Sequence, residues 1–165
     1  MLSQSNIYKL RMKHIAPSFS ISYDDPLHIV NGRGQYLYDS KGVKYLDAVN
    51  NIQHVGHAHP RVVDAIEKQS KKLNVNTRYL DELIVQYAKE LTEKFPEKLE
   101  VCYFTNSGSE SNDLALRIVR TLAGSKETIV LGDAYHGHSS ALIEISPYKF
   151  YGDGGSGCPS FVHVL

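Results

Sequence analysis

The chain lacks any charge imbalance, with eighteen Lys and Arg against eighteen Asp and Glu. Without a net field there is nothing to draw nucleic acid or an anionic membrane surface, so neither is expected as a partner. Cysteine is scarce: Cys102 and Cys158 are the two thiols in 165 residues. The first falls in an expected buried strand and the second in a Gly/Pro-rich tail, which argues for a reducing compartment and against a disulfide framework. Long hydrophobic runs are missing as well, since no apolar stretch approaches the roughly eighteen residues that a membrane span requires. There is no repeat, no low-complexity segment and no linker between two complete cores.

Acidic residues are absent from the first twenty-three positions, which hold Lys9, Arg11, Lys13 and five serines. That composition resembles a mitochondrial presequence and suits equally a first helix that packs on a partner. The mitochondrial matrix is therefore the expected compartment, with the cytoplasm as alternative. What remains is ordinary in amount: a hydrophobic content of 42% over 165 residues is enough for one domain with a real core.

Taken in order, Ile7, Leu10 and Ile15 are loosely helical and Pro17 ends the pattern. A strand-rich part follows at 28–30, 35–38 and 43–46, with Asp39-Ser40-Lys41-Gly42 turning the last two into a hairpin. The loop from Asn50 to Pro60 carries His54, His57 and His59. Their spacing matches no helix face and no cysteine or carboxylate cluster joins them, so no metal site is expected and the ring nitrogens should bond backbone groups. Pro60 opens a helix to Leu73, with Val63, Ile66 and Ser70 facing inward, and Leu80, Leu83, Ile84, Tyr87 and Leu91 mark one face of the next.

The informative stretch is Tyr103 to Asn112. Glu100 to Phe104 reads as a strand, Thr105 to Asn112 as a Ser/Gly turn, and Asp113 to Leu122 as a helix with Gly124 as its C-cap. The first N–H groups of that helix point outward at the positive end of its dipole, which suits a phosphate. Gly108 lets the backbone approach a ligand, and the hydroxyls of Ser107 and Ser109 add donors. A bland alternative stands beside this one, because Ser107 and Glu110 have capping-box spacing and can satisfy the same groups with no ligand. The turn is neither a Walker loop nor a dinucleotide fingerprint.

Thr128 to Leu131 reads as a buried strand parallel to the one at 100–104, the helix serving as crossover. Ligands in such sheets sit beyond the carboxyl ends of the strands, where the loop Gly132 to His138 also emerges. Tyr135 in that loop either stacks on a flat ring or plugs the sheet end. The tail from Tyr151 to Pro159, five of whose nine residues are glycine or proline, leads to a further strand at 161–165.

At this point the residues resemble a known family. Thr105-Asn106-Ser107-Gly108-Ser109-Glu110-Ser111-Asn112 and Ala134-Tyr135-His136-Gly137 look like the cofactor-binding part of the class III pyridoxal-phosphate aminotransferases. Gly56-His57-Ala58-His59-Pro60 and Asn76-Thr77-Arg78-Tyr79-Leu80 match the same family in the same order. Lys13 to Ser18, Val49 to His57, Val101 to Ser107 and Ile145-Ser146-Pro147-Tyr148-Lys149-Phe150 resemble its phospho-lyase branch, the ethanolamine-phosphate and 5-phosphohydroxylysine phospho-lyases. Ser111 departs from the alanine commonest at that place, a change the first helical turn should tolerate.

The resemblance implies an α/β protein of fold type I, incomplete here, in which residues 1–55 form an amino-terminal helix and a small β side domain. Residues 56–165 are then the first part of the large cofactor-binding domain. It implies that Ser107, Gly108 and Ser109 hold the 5′-phosphate of pyridoxal phosphate, that Tyr135 stacks on its ring and that His136 neighbours it. Asn51 and Arg78 become candidates for substrate or interface contacts. The implied substrate is a phosphorylated amine, phosphoethanolamine or 5-phosphohydroxylysine, which gives aldehyde, ammonia and phosphate in a homodimer. A class III ω-aminotransferase of alanine–glyoxylate type is the alternative.

Family members also use a lysine that holds the cofactor covalently, an aspartate at the ring nitrogen and a threonine from the other subunit. None of these has a match here, and neither Lys126 nor Lys149 stands in the family's lysine motif. No catalytic residue is therefore expected in this chain, which reads as the inactive amino-terminal part of an enzyme. A short non-catalytic product that pairs with a complete subunit is the alternative of a different class.

Overall fold

The computed structural model describes residues 2–50 and 54–165 and divides into two compact units, 1–79 and 80–165. In the first unit, helix α1 (Gln4–His14) opens on Ser3, whose hydroxyl accepts the Asn6 N–H at 3.3 Å. Gln4 donates to the Pro26 carbonyl at 2.5 Å and Arg11 to that of Phe19 at 2.9 Å, tying the helix to the chain that follows it. Strands β1 (Ile29–Arg33), β2 (Tyr36–Asp39) and β3 (Lys44–Leu46) form an antiparallel meander. The β2–β3 turn has the expected left-handed Gly42, at φ 83°. Asp39 closes it, accepting from the N–H groups of Lys41 and Val43 at 2.9 and 2.8 Å.

Helix α2 (Pro60–Lys72) begins on its proline as expected. Its apolar face is not covered: Val63 and Ile66 are 50% and 62% exposed, and Ser70 is exposed too, so the inward orientation expected of them does not occur. Spacing reveals that a helix has an apolar face, while the element that covers it has to come from elsewhere.

In the second unit, helix α3 (Glu82–Thr92) starts two residues after Leu80, because Asp81 caps it through the N–H groups of Leu83 and Ile84. Helix α4 (Gly108–Ala123) ends on left-handed Gly124, at φ 63°. Strand β4 (Thr128–Val130) pairs in parallel with β5 (Val162–Val164), and a short helix α5 (Ser140–Ile143) and a 3-10 turn at Pro147–Lys149 lie between them.

Two expectations are corrected here. Glu100 to Phe104 forms no strand, and β4 takes β5 as its parallel partner. Residues 100–104 make no backbone hydrogen bond among the described residues, and a strand exists only with a neighbour to bond. Cys102 is accordingly half-buried, while Phe104 stacks on Tyr87 of α3 with ring centroids 5.2 Å apart. The core gathers elsewhere: Val130, Leu142, Ile145, Phe150 and Val162 are buried together, with Leu116 and Phe161 against them.

Candidate functional site

The start of α4 shows how far the capping box goes. Ser107 is the N-cap, with its backbone extended at φ −157° and ψ 160° and its Oγ accepting the Glu110 N–H at 3.1 Å. Glu110 reaches back one residue further than a capping box does and accepts from the Asn106 N–H at 2.7 Å. The Thr105 and Ser111 hydroxyls bond across the turn at 2.5 Å. Among the described residues, no acceptor meets the N–H groups of Gly108 or Ser109. The capping box thus leaves two donors at the positive end of the helix dipole, where an anion is favoured.

The side chains fit an anion as well. Ser107 Oγ and Ser109 Oγ act as acceptors within the chain, so each hydroxyl keeps its proton to donate. A Cβ added at Gly108 meets nothing within 4 Å, which leaves open space beside the free N–H groups. A phosphate has both donors and room at this turn.

The second expected loop is bound to the first. The Asn112 amide donates to the His136 carbonyl at 2.7 Å, and the His138 N–H donates to Ser109 Oγ at 3.0 Å. Gly137 makes the approach possible: a Cβ there would lie 2.7 Å from Ser109 Oγ and 2.4 Å from Leu142 Cδ1, and its φ of 144° disfavours any side chain. Tyr135, 54% exposed, packs at right angles to Tyr148 with ring centroids 5.3 Å apart. His136 has a buried Nε2 without a partner among the described residues. Hence Ser107, Gly108, Ser109, Tyr135 and His136 are brought together within one unit, at the carboxyl end of β4.

The other candidates lie apart in sequence and in unit. Arg78 belongs to the first unit, where it is exposed and its N–H donates to Asn76 Oδ1 at 3.1 Å. Asn51 falls outside the described residues. Earlier in the sequence, Asp47 accepts from the N–H groups of Asn50 and Val49 at 2.9 and 3.1 Å and meets His57 Nε2 at 2.6 Å. Those bonds, the Asn50 N–H first and His57 next, hold the Asp47 carboxyl far below the usual carboxylate range against the opposing effect of its burial. His57 thus bonds a carboxylate side chain rather than a backbone group through its ring, and His59 keeps a buried Nδ1 unpaired among the described residues.

Sequence reasoning missed Asn112 and Ser146. Asn112 stands inside the Ser/Gly motif but acts on a loop 24 residues away, and Ser146 Oγ, fully buried, accepts the His136 N–H at 3.0 Å.

The family model described as aminotransferase class-III matches residues 19–153. The chain belongs to this family. It is 49% identical over 164 residues to "Alanine–glyoxylate aminotransferase 2-like" of Drosophila melanogaster, covering 99% of this chain and 33% of that protein. With "Ethanolamine-phosphate phospho-lyase homolog 1" of Caenorhabditis elegans the identity is 42%, over 98% of this chain and 35% of the relative. A solved phospholyase from Arthrobacter in complex with phosphoethanolamine aligns with a TM-score of 0.88 at 40% identity, covering 96% of this chain and 37% of the other. The chain spans about a third of the length of the curated relatives it matches. Family, fold type I architecture and pyridoxal phosphate as the family's cofactor agree with the sequence reading, and some relatives carry mitochondrial names.

Proposed function

We propose that the whole protein is a pyridoxal-phosphate-dependent phospho-lyase acting on a phosphorylated amine, phosphoethanolamine or 5-phosphohydroxylysine. The observation that carries this reading is the joining of the α4 amino terminus to the Tyr135 loop. It ties the loop that carries Tyr135 and His136 to the turn that carries the free N–H donors and the two serine hydroxyls. Ser107, Gly108 and Ser109 hold the 5′-phosphate, Tyr135 covers the ring, and His136 flanks it. When bound, the cofactor would supply an electron sink for the electron pair left on carbon as the proton next to the amine is lost. The carbon–oxygen bond to phosphate on the neighbouring carbon then breaks, and with one water consumed the products are aldehyde, ammonia and inorganic phosphate. This chain's part is to bind and orient; the lysine of the reaction belongs to the remainder of the protein.

The lyase outcome is supported by the 40% identity to the phospholyase that holds phosphoethanolamine. Transamination of alanine–glyoxylate type is the second reading, favoured by the name of the Drosophila relative. Asn51 and Arg78 are proposed contacts for the substrate or the subunit interface of a homodimer. A matrix location is supported by the acid-free first twenty-three residues and by relatives named mitochondrial, against the cytoplasm as alternative. Incubating the whole protein with phosphoethanolamine separates the two reactions. Phosphate release without an amino acceptor supports the lyase, and glycine formed only when glyoxylate is present, without phosphate release, overturns it.

A further inference from the structure

The segment Ile145 to Phe150 resembles the phospho-lyase branch, yet the proposed reaction gives it no task. The structure places it directly behind Tyr135. Ser146, fully buried, donates its hydroxyl proton to the Leu142 carbonyl at 2.6 Å and accepts the His136 N–H at 3.0 Å. Two residues on, the Tyr148 N–H donates to the Ala134 carbonyl at 3.5 Å. Between these two backbone contacts, the Tyr148 ring meets the Tyr135 ring at an interplanar angle of 85°. Residues 134, 135 and 136 are each touched by one segment of three residues, Ser146 to Tyr148.

We propose that Tyr148 is a positioning residue: its ring, anchored through Ser146, sets the orientation of Tyr135 for stacking on the cofactor ring. The physical need is clear. Tyr135 is 54% exposed, and a half-exposed aromatic side chain with two free torsions samples several rotamers unless a neighbour selects one. Selecting it beforehand removes an ordering cost from cofactor binding. An edge-to-face pair is strong enough to do so and needs no hydroxyl. Lys149 adds a cation over the Tyr148 ring, 4.8 Å from its centroid.

The inference rests on the reading of Tyr135 as the residue that covers the cofactor. The experiment uses the full-length protein with pyridoxal phosphate as the probe. It measures the cofactor dissociation constant and the induced circular dichroism of the bound cofactor for Tyr148→Phe, Tyr148→Leu, Tyr135→Ala and the Tyr135→Ala/Tyr148→Leu pair. Tyr148→Leu keeps an apolar side chain but loses the aromatic edge, and should weaken cofactor binding by about two- to tenfold and diminish the induced signal. Tyr148→Phe should retain both properties. In the Tyr135→Ala background, Tyr148→Leu should cost nothing further.

An equal loss in both backgrounds overturns the proposal, because a merely structural role does not depend on Tyr135. So does a silent Tyr148→Leu, or a Tyr148→Phe as impaired as Tyr148→Leu. Failure of the underlying reading looks different: the unmutated protein then binds no pyridoxal phosphate, or Tyr135→Ala leaves binding unchanged.

Discussion

The two units of this chain hold their loops by different physics. In the first, no described residue is fully buried, and the turns are fixed by carboxylates: Asp39 takes two N–H groups of the β2–β3 turn, and Asp47 takes those of Val49 and Asn50 and the His57 ring. In the second, Val130, Leu142, Ile145, Phe150 and Val162 form an apolar layer, and the Tyr135 loop lies on it. Carboxylate staples are directional and depend on ionisation, whereas apolar burial is indifferent to pH. The candidate cofactor residues sit on the second kind of support. Perturbing each kind in turn tests whether the difference matters.

The largest effect is expected from Leu142→Ala. Leu142 has 0% exposure and lies under Gly137, so its loss should leave a cavity beneath the loop and cost about 2–5 kcal/mol. A fall in the urea midpoint of the whole protein measures it. Gly137→Ala comes next. The new methyl has to occupy space taken by Leu142 and Ser109 at a φ of 144°, a strain of roughly 1–3 kcal/mol. Because Gly137 separates the Tyr135 loop from the α4 turn, cofactor affinity should fall along with stability. Unchanged affinity, measured by cofactor titration, would dissociate the loop from the site.

These residues also show what sequence can and cannot reveal. The caps of α4 were legible because capping is local, with Ser107 and Gly124 acting within one turn of themselves, although the helix begins at Gly108 rather than at the expected Asp113. The hairpin at Gly42 was legible for the same reason. The strand at 100–104 was misread because its residues favour extended backbone, whereas a ladder needs a partner that propensity does not name. Asn112 and Ser146 were invisible because their bonds join positions 24 and 10 apart in sequence. The resemblance supplied Tyr135 and His136 together with the Ser/Gly turn; only the fold shows the bonds that join the two loops.

The carboxylate staples respond to acid. The folded-state pKa of Asp47 is depressed, so its contribution is fully present above the unfolded carboxyl value of about 4 and is lost as pH falls below it. Asp47→Asn should lower the melting temperature at pH 7 and flatten its decline between roughly pH 4 and pH 2. Leu142→Ala should lower the temperature by a similar amount at both ends of that range. Parallel acid profiles for wild type and Asp47→Asn would remove the contrast between the units.

The smallest effect sharpens the same contrast from the other side. Lys71 and Glu67 on α2 form an exposed i,i+4 pair at 2.5 Å, with side chains 73% and 61% accessible. Exposed charges of this kind gain little over hydration and are screened by salt, so Lys71→Ala should change stability by no more than about 0.5 kcal/mol. Asp47 differs in that its side chain is 4% exposed, its Oδ1 accepts two fixed backbone N–H groups and its Oδ2 meets His57. If thermal melts at low and high salt show Lys71→Ala costing as much as Asp47→Asn, charge alone stabilises the first unit. A near-silent Lys71→Ala, with Asp47→Asn clearly destabilising, assigns that role to the enclosed, hydrogen-bonded carboxylate.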